Sequence, residues 1–167
     1  TQLETPINST LYALKIAKNN GCLTILNPAP AKKIPEEYFK LIDYLTPNEA
    51  EASFYTNKEI NSEEACRESA NYFLDRGVKN IIITLGDRGC FFKNKNEEFL
   101  VSSKKFSFPV VDTTGAGDAF NGAVSVSLAQ GKSNLDAVKF ANLVAGISVT
   151  REGATYSMPK ISELEKY

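Results

Sequence analysis

Val110-Val111-Asp112-Thr113-Thr114-Gly115-Ala116-Gly117-Asp118-Ala119-Phe120-Asn121-Gly122-Ala123 joins an apolar, strand-like pair to a two-glycine turn and then to a run that reads as a helix. Small residues at 115–117 let backbone N–H groups approach an anion without Cβ atoms in the way. The helix that follows directs the positive end of its dipole at the same place. Asp118 then puts a carboxylate where a phosphate would be welcomed. In an ordinary helix such an acid is a dipole partner in the first turn. In phosphoryl transfer it is a base that takes a hydroxyl proton as the phosphoryl group arrives. The spacing is not the Rossmann Gly-x-Gly-x-x-Gly, because Gly122 comes too late to be its third glycine. Nor is it Gly-x-x-x-x-Gly-Lys-Ser/Thr.

Outward from this turn the pattern alternates helix and strand, the mark of an α/β sheet with parallel strands. Thr5-Pro6 opens a helix to about residue 20, with Pro6 in its first turn and Asn19-Asn20-Gly21 as the stop. Residues 22–26 read as a short apolar strand ending at Asn27-Pro28, where Asn27 is a turn residue. A short helix follows over 35–40 and a strand over 41–45. Helices are expected over 48–55 and 62–76, the second capped by Ser62 and stopped by Gly77. Asn80-Ile81-Ile82-Ile83-Thr84 is the clearest buried strand, apolar on both faces as parallel sheets require. Residues 90–92 and 98–101 flank Lys93-Asn94-Lys95-Asn96 and predict a hairpin on the sheet margin. Its aromatics are read as packing and its lysines as a solvated tip. Helices over 116–130 and 135–150 complete a single domain, 1–167.

Composition narrows the function classes. Nineteen basic and 20 acidic residues nearly cancel, and electrostatic capture of nucleic acid needs a basic face. No apolar run approaches the roughly 20 residues of a membrane span. The chain has no histidine, so a His base or His-ligated zinc is excluded. Its three cysteines are scattered. Cys22 and Cys90 read as lying in apolar strand surroundings and Cys66 in a helix, so free thiols in a reducing cytoplasm are expected.

Several ordered blocks resemble the ribokinase-like carbohydrate kinase family. Asp112 to Ala123 is similar to its signature. Gln2-Leu3-Glu4-Thr5-Pro6, Asn27-Pro28-Ala29-Pro30, Thr46-Pro47-Asn48-Glu49-Ala50-Glu51, Thr84-Leu85-Gly86-Asp87-Arg88-Gly89, Phe140-Ala141-Asn142 and Ser148 to Ala154 follow its pattern. The Leu-Glu-x-Pro and Asn-Pro-Ala-Pro blocks fit the ribokinase branch better than the fructokinase or adenosine kinase branches. The resemblance implies a ribokinase-like α/β fold, a mostly parallel sheet flanked by helices in three Rossmann-like layers. It implies ATP-dependent phosphorylation of the 5-hydroxyl of D-ribose, with related kinases for fructose, a nucleoside or a keto-sugar acid as alternatives. Family members are much longer, and this chain begins without Met at what resembles their second half. It is therefore expected to be a C-terminal fragment lacking the lid and the Gly-Gly-x-Gly segment, inactive alone or a non-catalytic nucleotide binder. The full-length enzyme is expected to be a cytoplasmic homodimer joined through lid strands.

The resemblance also assigns roles, each beside a plainer one. Asp118 is the implied base, with the N–H groups of Gly115, Ala116, Gly117 and Asp118 forming an anion hole. Asp112 is either a turn cap or part of a potassium site. That site would take the Thr114 carbonyl, oxygens from Ser148, Arg151 and Gly153, and Ser157; carbonyl oxygens can replace the ion's water shell. Asn48 and Glu51 form a capping-box pattern; in the resemblance they act on Mg²⁺ and phosphate through water. Thr84 and Gly86, after the strongest strand, stand where open α/β sheets place ligands and resemble ATP contacts. Asn142 resembles a residue near the adenine and ribose, or else bonds within its helix pair. Glu4 resembles a sugar contact, or else is solvated charge.

Overall fold

A computed structural model of the chain describes residues 1–103 and 109–164. It divides into two compact units, Thr1–Gly86 with Cys90–Leu100, and Asp87–Gly89 with Val101–Tyr167.

The first unit is built on a five-stranded sheet in the order β1-β2-β3-β4-β5. Its strands are β1 (Ile25–Leu26), β2 (Tyr44–Leu45), β3 (Asn80–Thr84), β4 (Cys90–Asn94) and β5 (Glu98–Val101). β1 pairs parallel with β2, and β2 parallel with β3, but β3 pairs antiparallel with β4, so the sheet is mixed. Ile81, Ile82 and Ile83 are fully buried as expected. Burial on both faces says nothing of strand direction, and the antiparallel neighbour follows from the short Thr84–Cys90 connection. Helices α1 (Ile7–Asn19), α2 (Glu49–Thr56) and α3 (Glu63–Leu74) flank this sheet, with a 3-10 turn over Glu36–Leu41. Leu11, Leu14, Leu26, Phe39, Leu45, Phe73, Ile81, Ile83 and Phe91 share one apolar cluster.

Several boundaries move for identifiable reasons. α1 begins at Ile7, with Pro6 as its N-cap at ψ 127°, not inside the first turn. Residues 20–22 are spent closing α1: the Asn20 amide donates to Ile16 and Ala17, Gly21 turns at φ 71°, and Cys22 N–H returns to Ala17 O. β1 therefore starts only at Ile25, and Cys22 is exposed, not in an apolar strand. Cys66 and Cys90 are buried free thiols, and burial pushes the Cys90 pKa up to about 12. Thr1–Leu3 runs beside β1 through Asn27 N–H to Thr1 O (2.9 Å) and Leu3 N–H to Ala29 O (2.8 Å). The hairpin forms as expected, with Phe92 and Phe99 stacked at 4.6 Å. Lys93 is no solvated tip: its ammonium bonds Glu98 at 2.5 Å, and only Lys95 is exposed.

The second unit contains α4 (Ala116–Ala129) and α5 (Asn134–Ser148), packed on each other, then a 3-10 turn (Thr155–Ser157) and α6 (Ile161–Leu164). Ala119, Phe120, Ala123, Val124 and Ser127 form the buried stripe of α4; Ala137, Val138, Ala141, Val144 and Ile147 form that of α5. Alanines on both stripes let the helix axes approach, which is what the small-residue content foretells. Ser133 caps α5 by accepting the Asp136 amide at 3.1 Å.

Asp43 is a buried carboxylate in a strong local field. Burial opposes its ionisation, but Lys18 at 2.5 Å, Lys79 at 2.9 Å and the Thr24 amide and hydroxyl overcome that and hold its pKa at about 2. A depressed folded pKa stabilises above the unfolded value of 3.8, and the contribution is lost as pH falls from 3.8 towards 2. Asp43→Asn is predicted to cost about 2 kcal/mol at neutral pH. In urea melts the gap between mutant and parent should close between about pH 4 and pH 2. A gap that does not change with pH would contradict this account.

Candidate functional site

In the second unit, the turn ahead of α4 is organised by Asp112. One carboxylate oxygen accepts the Thr114 amide at 2.9 Å and the other accepts the Gly153 amide at 2.9 Å. Hydrogen bonds from Thr114, hydroxyl first and then amide, and from the Gly153 amide hold the Asp112 carboxyl below the usual carboxylate range. The plainer role, a turn cap, is thus present. The second bond reaches 41 residues along the chain and ties the turn to the loop after α5. The same junction carries the Val111 and Asp112 amides, both donating to Val149 O at 2.8 and 3.3 Å.

Gly115 is the N-cap of α4 in the left-handed region, φ 76°. A Cβ there would also lie 3.1 Å from that of Ala154. At Gly117 the backbone is helical and a Cβ would meet no protein atom within 4 Å. Nothing in the chain's own packing requires glycine at 117. Asp118 lies in the first turn of α4 and is exposed. Gly117 and Asp118 stand in the first turn of α4, where backbone amides point out of the helix end. Ala116 differs from the expectation, since its N–H closes the turn onto Thr113 O at 3.2 Å.

Two other groups expected around this turn have local partners. Ser148 O accepts the Arg151 amide at 3.1 Å, and the buried Ser157 hydroxyl donates to Ala154 O at 2.7 Å. Each such oxygen keeps a second lone pair, so carbonyls of this loop together with Asp112 fit a weakly bound monovalent cation. The side-chain amide of Asn142 bonds outside its helix pair: it donates to Ser102 O at 3.0 Å, holding α5 to the segment after β5.

In the first unit, Asn48, Glu51 and Thr84 come together at the C-terminal end of β3. Asn48 Oδ1 accepts the Glu51 amide at 2.8 Å and Glu51 Oε2 accepts the Asn48 amide at 2.9 Å, a complete capping box. Asn48 makes a parallel bridge to Thr84, whose amide donates to Pro47 O at 2.9 Å. Glu51 is buried; that burial raises its pKa against the lowering effect of the Asn48 amide. A carboxylate so placed would be eased by a nearby cation. Among the described residues no group of three or more Cys, Asp or Glu could hold a metal. Magnesium keeps several waters and needs no dedicated protein cage, so the pair is compatible with action on Mg²⁺ through water. Asn27 is a strand-end tie, donating to Thr46 O at 2.9 Å. Gly86 turns the chain after β3 at φ 56°, and Glu4 is exposed.

Sequence reasoning missed Arg151 as a side chain. Its guanidinium makes two bonds to Glu163, at 2.6 and 3.4 Å. The only signal was Lys160-x-x-Glu163 at a helix start, where Glu163 accepts the Lys160 amide at 2.8 Å.

The chain belongs to the pfkB family of carbohydrate kinases, whose profile, pfkB family carbohydrate kinase, matches residues 2–161. Ribokinase of Staphylococcus aureus (strain COL) is 40% identical over 166 residues, covering 99% of this chain and 54% of that protein. Deoxyribokinase of Salmonella typhi is 34% identical over 167 residues, covering 99% and 54% respectively. The structure of Arabidopsis thaliana ribokinase complexed with ribose and ATP is similar with a TM-score of 0.94 at 32% identity, covering 99% of this chain and 53% of that one. The expected family and α/β fold are borne out. The chain spans about half the length of the curated relatives it matches. No helix among the described residues is long and apolar enough to cross a membrane.

The two glycines of the turn should respond oppositely to a methyl group. Gly115→Ala is predicted to lose on the order of 1–2 kcal/mol in urea denaturation, from the left-handed backbone and the contact with Ala154. Gly117→Ala should keep or gain stability, by up to about 1 kcal/mol, because the site is helical and open. Equal losses at both positions would contradict the geometry.

Proposed function

We propose that this chain carries the phosphoryl-transfer part of an ATP-dependent sugar kinase. The observation that carries the reading is the exposed Asp118 in the first turn of α4, just after the left-handed Gly115, in a chain of the pfkB family. In-line transfer of a phosphoryl group needs a positioned hydroxyl, a proton acceptor and donors for the phosphate charge. Asp118 would take the proton from the sugar's primary hydroxyl. The amides of Gly115, Gly117 and Asp118 would receive the migrating phosphoryl group, helped by the positive end of α4.

Thr84 and Gly86 are assigned to the nucleotide side, because they follow β3 at the strand end where open α/β sheets bind ligands. Asn48 and Glu51 are assigned to the waters around Mg²⁺. Magnesium would neutralise charge on the phosphates; the residues' part is to fix its water shell. Asp112, Thr114 and the loop Ser148, Arg151, Gly153 and Ser157 are assigned to potassium, which would stiffen the turn without touching the nucleotide. Asn142 is assigned to the adenine and ribose side on the family resemblance of Phe140-Ala141-Asn142.

The acceptor assigned is D-ribose at its 5-hydroxyl, supported by the similarity to ribokinases. A 2-deoxypentose is the second reading, favoured by the 34% identity to a deoxyribokinase. Glu4 is assigned to the sugar side. The setting proposed is the cytoplasm, with the full-length enzyme a homodimer. The chain alone is read as a nucleotide binder without turnover.

Two measurements test this. ATP turnover against a panel of pentoses and hexoses, with and without potassium, should be undetectable for the chain alone. It should appear when the chain is fused behind the N-terminal half of a ribokinase. In that fusion Asp118→Asn is predicted to keep the fold and lower kcat by about 10²–10⁴-fold, the usual worth of a positioned base. Turnover by the chain alone would overturn the fragment reading, and near-normal turnover in the mutant would overturn the role of Asp118.

A further inference from the structure

The loop from Val149 to Ser157 meets the Asp112–Gly115 turn at three places. At its root, Val149 O accepts two amides, from Val111 and Asp112. At its tip, Gly153, at φ 83°, donates its amide to Asp112. Just beyond, Ala154 packs against Gly115. Glu152, between root and tip, is exposed and offers no packing to hold the tip down. Beyond the tip the buried Ser157 hydroxyl holds Ala154 O at 2.7 Å; before it, the side-chain anchor is Arg151, two residues away. Its guanidinium is gripped by Glu163 at the start of α6, which also accepts the Lys160 amide.

We infer that Arg151 and Glu163 are a positioning pair: their two-bond contact holds the loop tip so that the Gly153 amide stays on Asp112 and the turn before α4 keeps its shape. A guanidinium–carboxylate pair joined by two bonds fixes orientation as well as distance. The contribution to global stability is small, because an exposed ion pair is worth little in water. Its effect is geometric. When the tip lifts, Asp112 loses one of its two amide donors and Ala154 leaves Gly115. Of the amide bonds to the Asp112 carboxylate, only that from Thr114 then remains. The pair acts through Asp112 and Gly115. That the turn receives phosphate rests on the kinase reading above; the clamp itself does not.

The test is residue-resolved amide hydrogen exchange and ¹⁵N–¹H NMR on the labelled chain, with Glu163→Gln and the charge-swapped double variant Arg151→Glu/Glu163→Arg. In Glu163→Gln the Gly153 amide is expected to exchange about 10-fold faster or more and to shift, while Val124 and Ala141 in the packed stripes of α4 and α5 keep their rates. The double variant, which restores the pair with its signs exchanged, should return the Gly153 rate to within about three-fold of the parent. Unchanged protection of Gly153 in Glu163→Gln overturns the inference. So does equal acceleration of Gly153, Val124 and Ala141, because that pattern marks a contact that only stabilises the unit as a whole. Failure of the parent chain to bind ATP would remove the kinase reading and leave these exchange rates, and the clamp, standing.

Discussion

Asp112 sits between two pieces of chain that have no sequence proximity, with one carboxylate oxygen on the Thr114 amide and the other on the Gly153 amide. A carboxylate held by several N–H donors stays ionised and resists displacement. Its short side chain leaves little freedom to the backbone on either side. Thr114 must then turn, Gly115 must take the left-handed conformation, and α4 must start at Ala116. The amides of the first turn and the Asp118 carboxylate follow from that start. A helix end placed elsewhere would carry the same residues without the same convergence.

The first unit shows a second way of fixing a helix start. Asn48 and Glu51 satisfy each other's amides, and the bridge from Asn48 to Thr84 sets this helix beside the end of β3. The cap engages one oxygen of each side chain, Asn48 Oδ1 and Glu51 Oε2. The proposed role would rest on charge: Glu51 is buried at a cost seen in its raised pKa, and a hydrated divalent ion nearby would lower that cost. The structural and proposed roles of the pair are compatible because they use different properties of the same carboxylate.

Much of this was legible in the sequence where the signal is local. The two-glycine turn, the Asn48–Glu51 box, the Ser62 cap and the Ile81–Ile83 strand each depend on neighbours within a few residues, and each forms as read. The hairpin was legible from its two apolar arms, whereas the pairing of Lys93 with Glu98 was not, because cross-strand partners depend on register. Cys22 was misread because closure of α1 consumes residues 20–22, a demand that an apolar pattern does not express. For the site, Asp112 was recognisable as a cap for its neighbour, but not as the partner of Gly153. The contacts of Asn142 with Ser102 and of Arg151 with Glu163 join segments with no shared periodicity. No spacing rule reaches them; only the packed second unit does.

The central claim is that the amides opening α4 receive an anion. Titration of the ¹⁵N-labelled chain with inorganic phosphate, and then with ADP, followed by amide chemical shifts, tests it most directly. The account predicts progressive, saturable shifts at Gly115, Gly117 and Asp118, with little change at the buried amides of α5. Saturable shifts elsewhere on the chain, with those three amides unmoved, would contradict it.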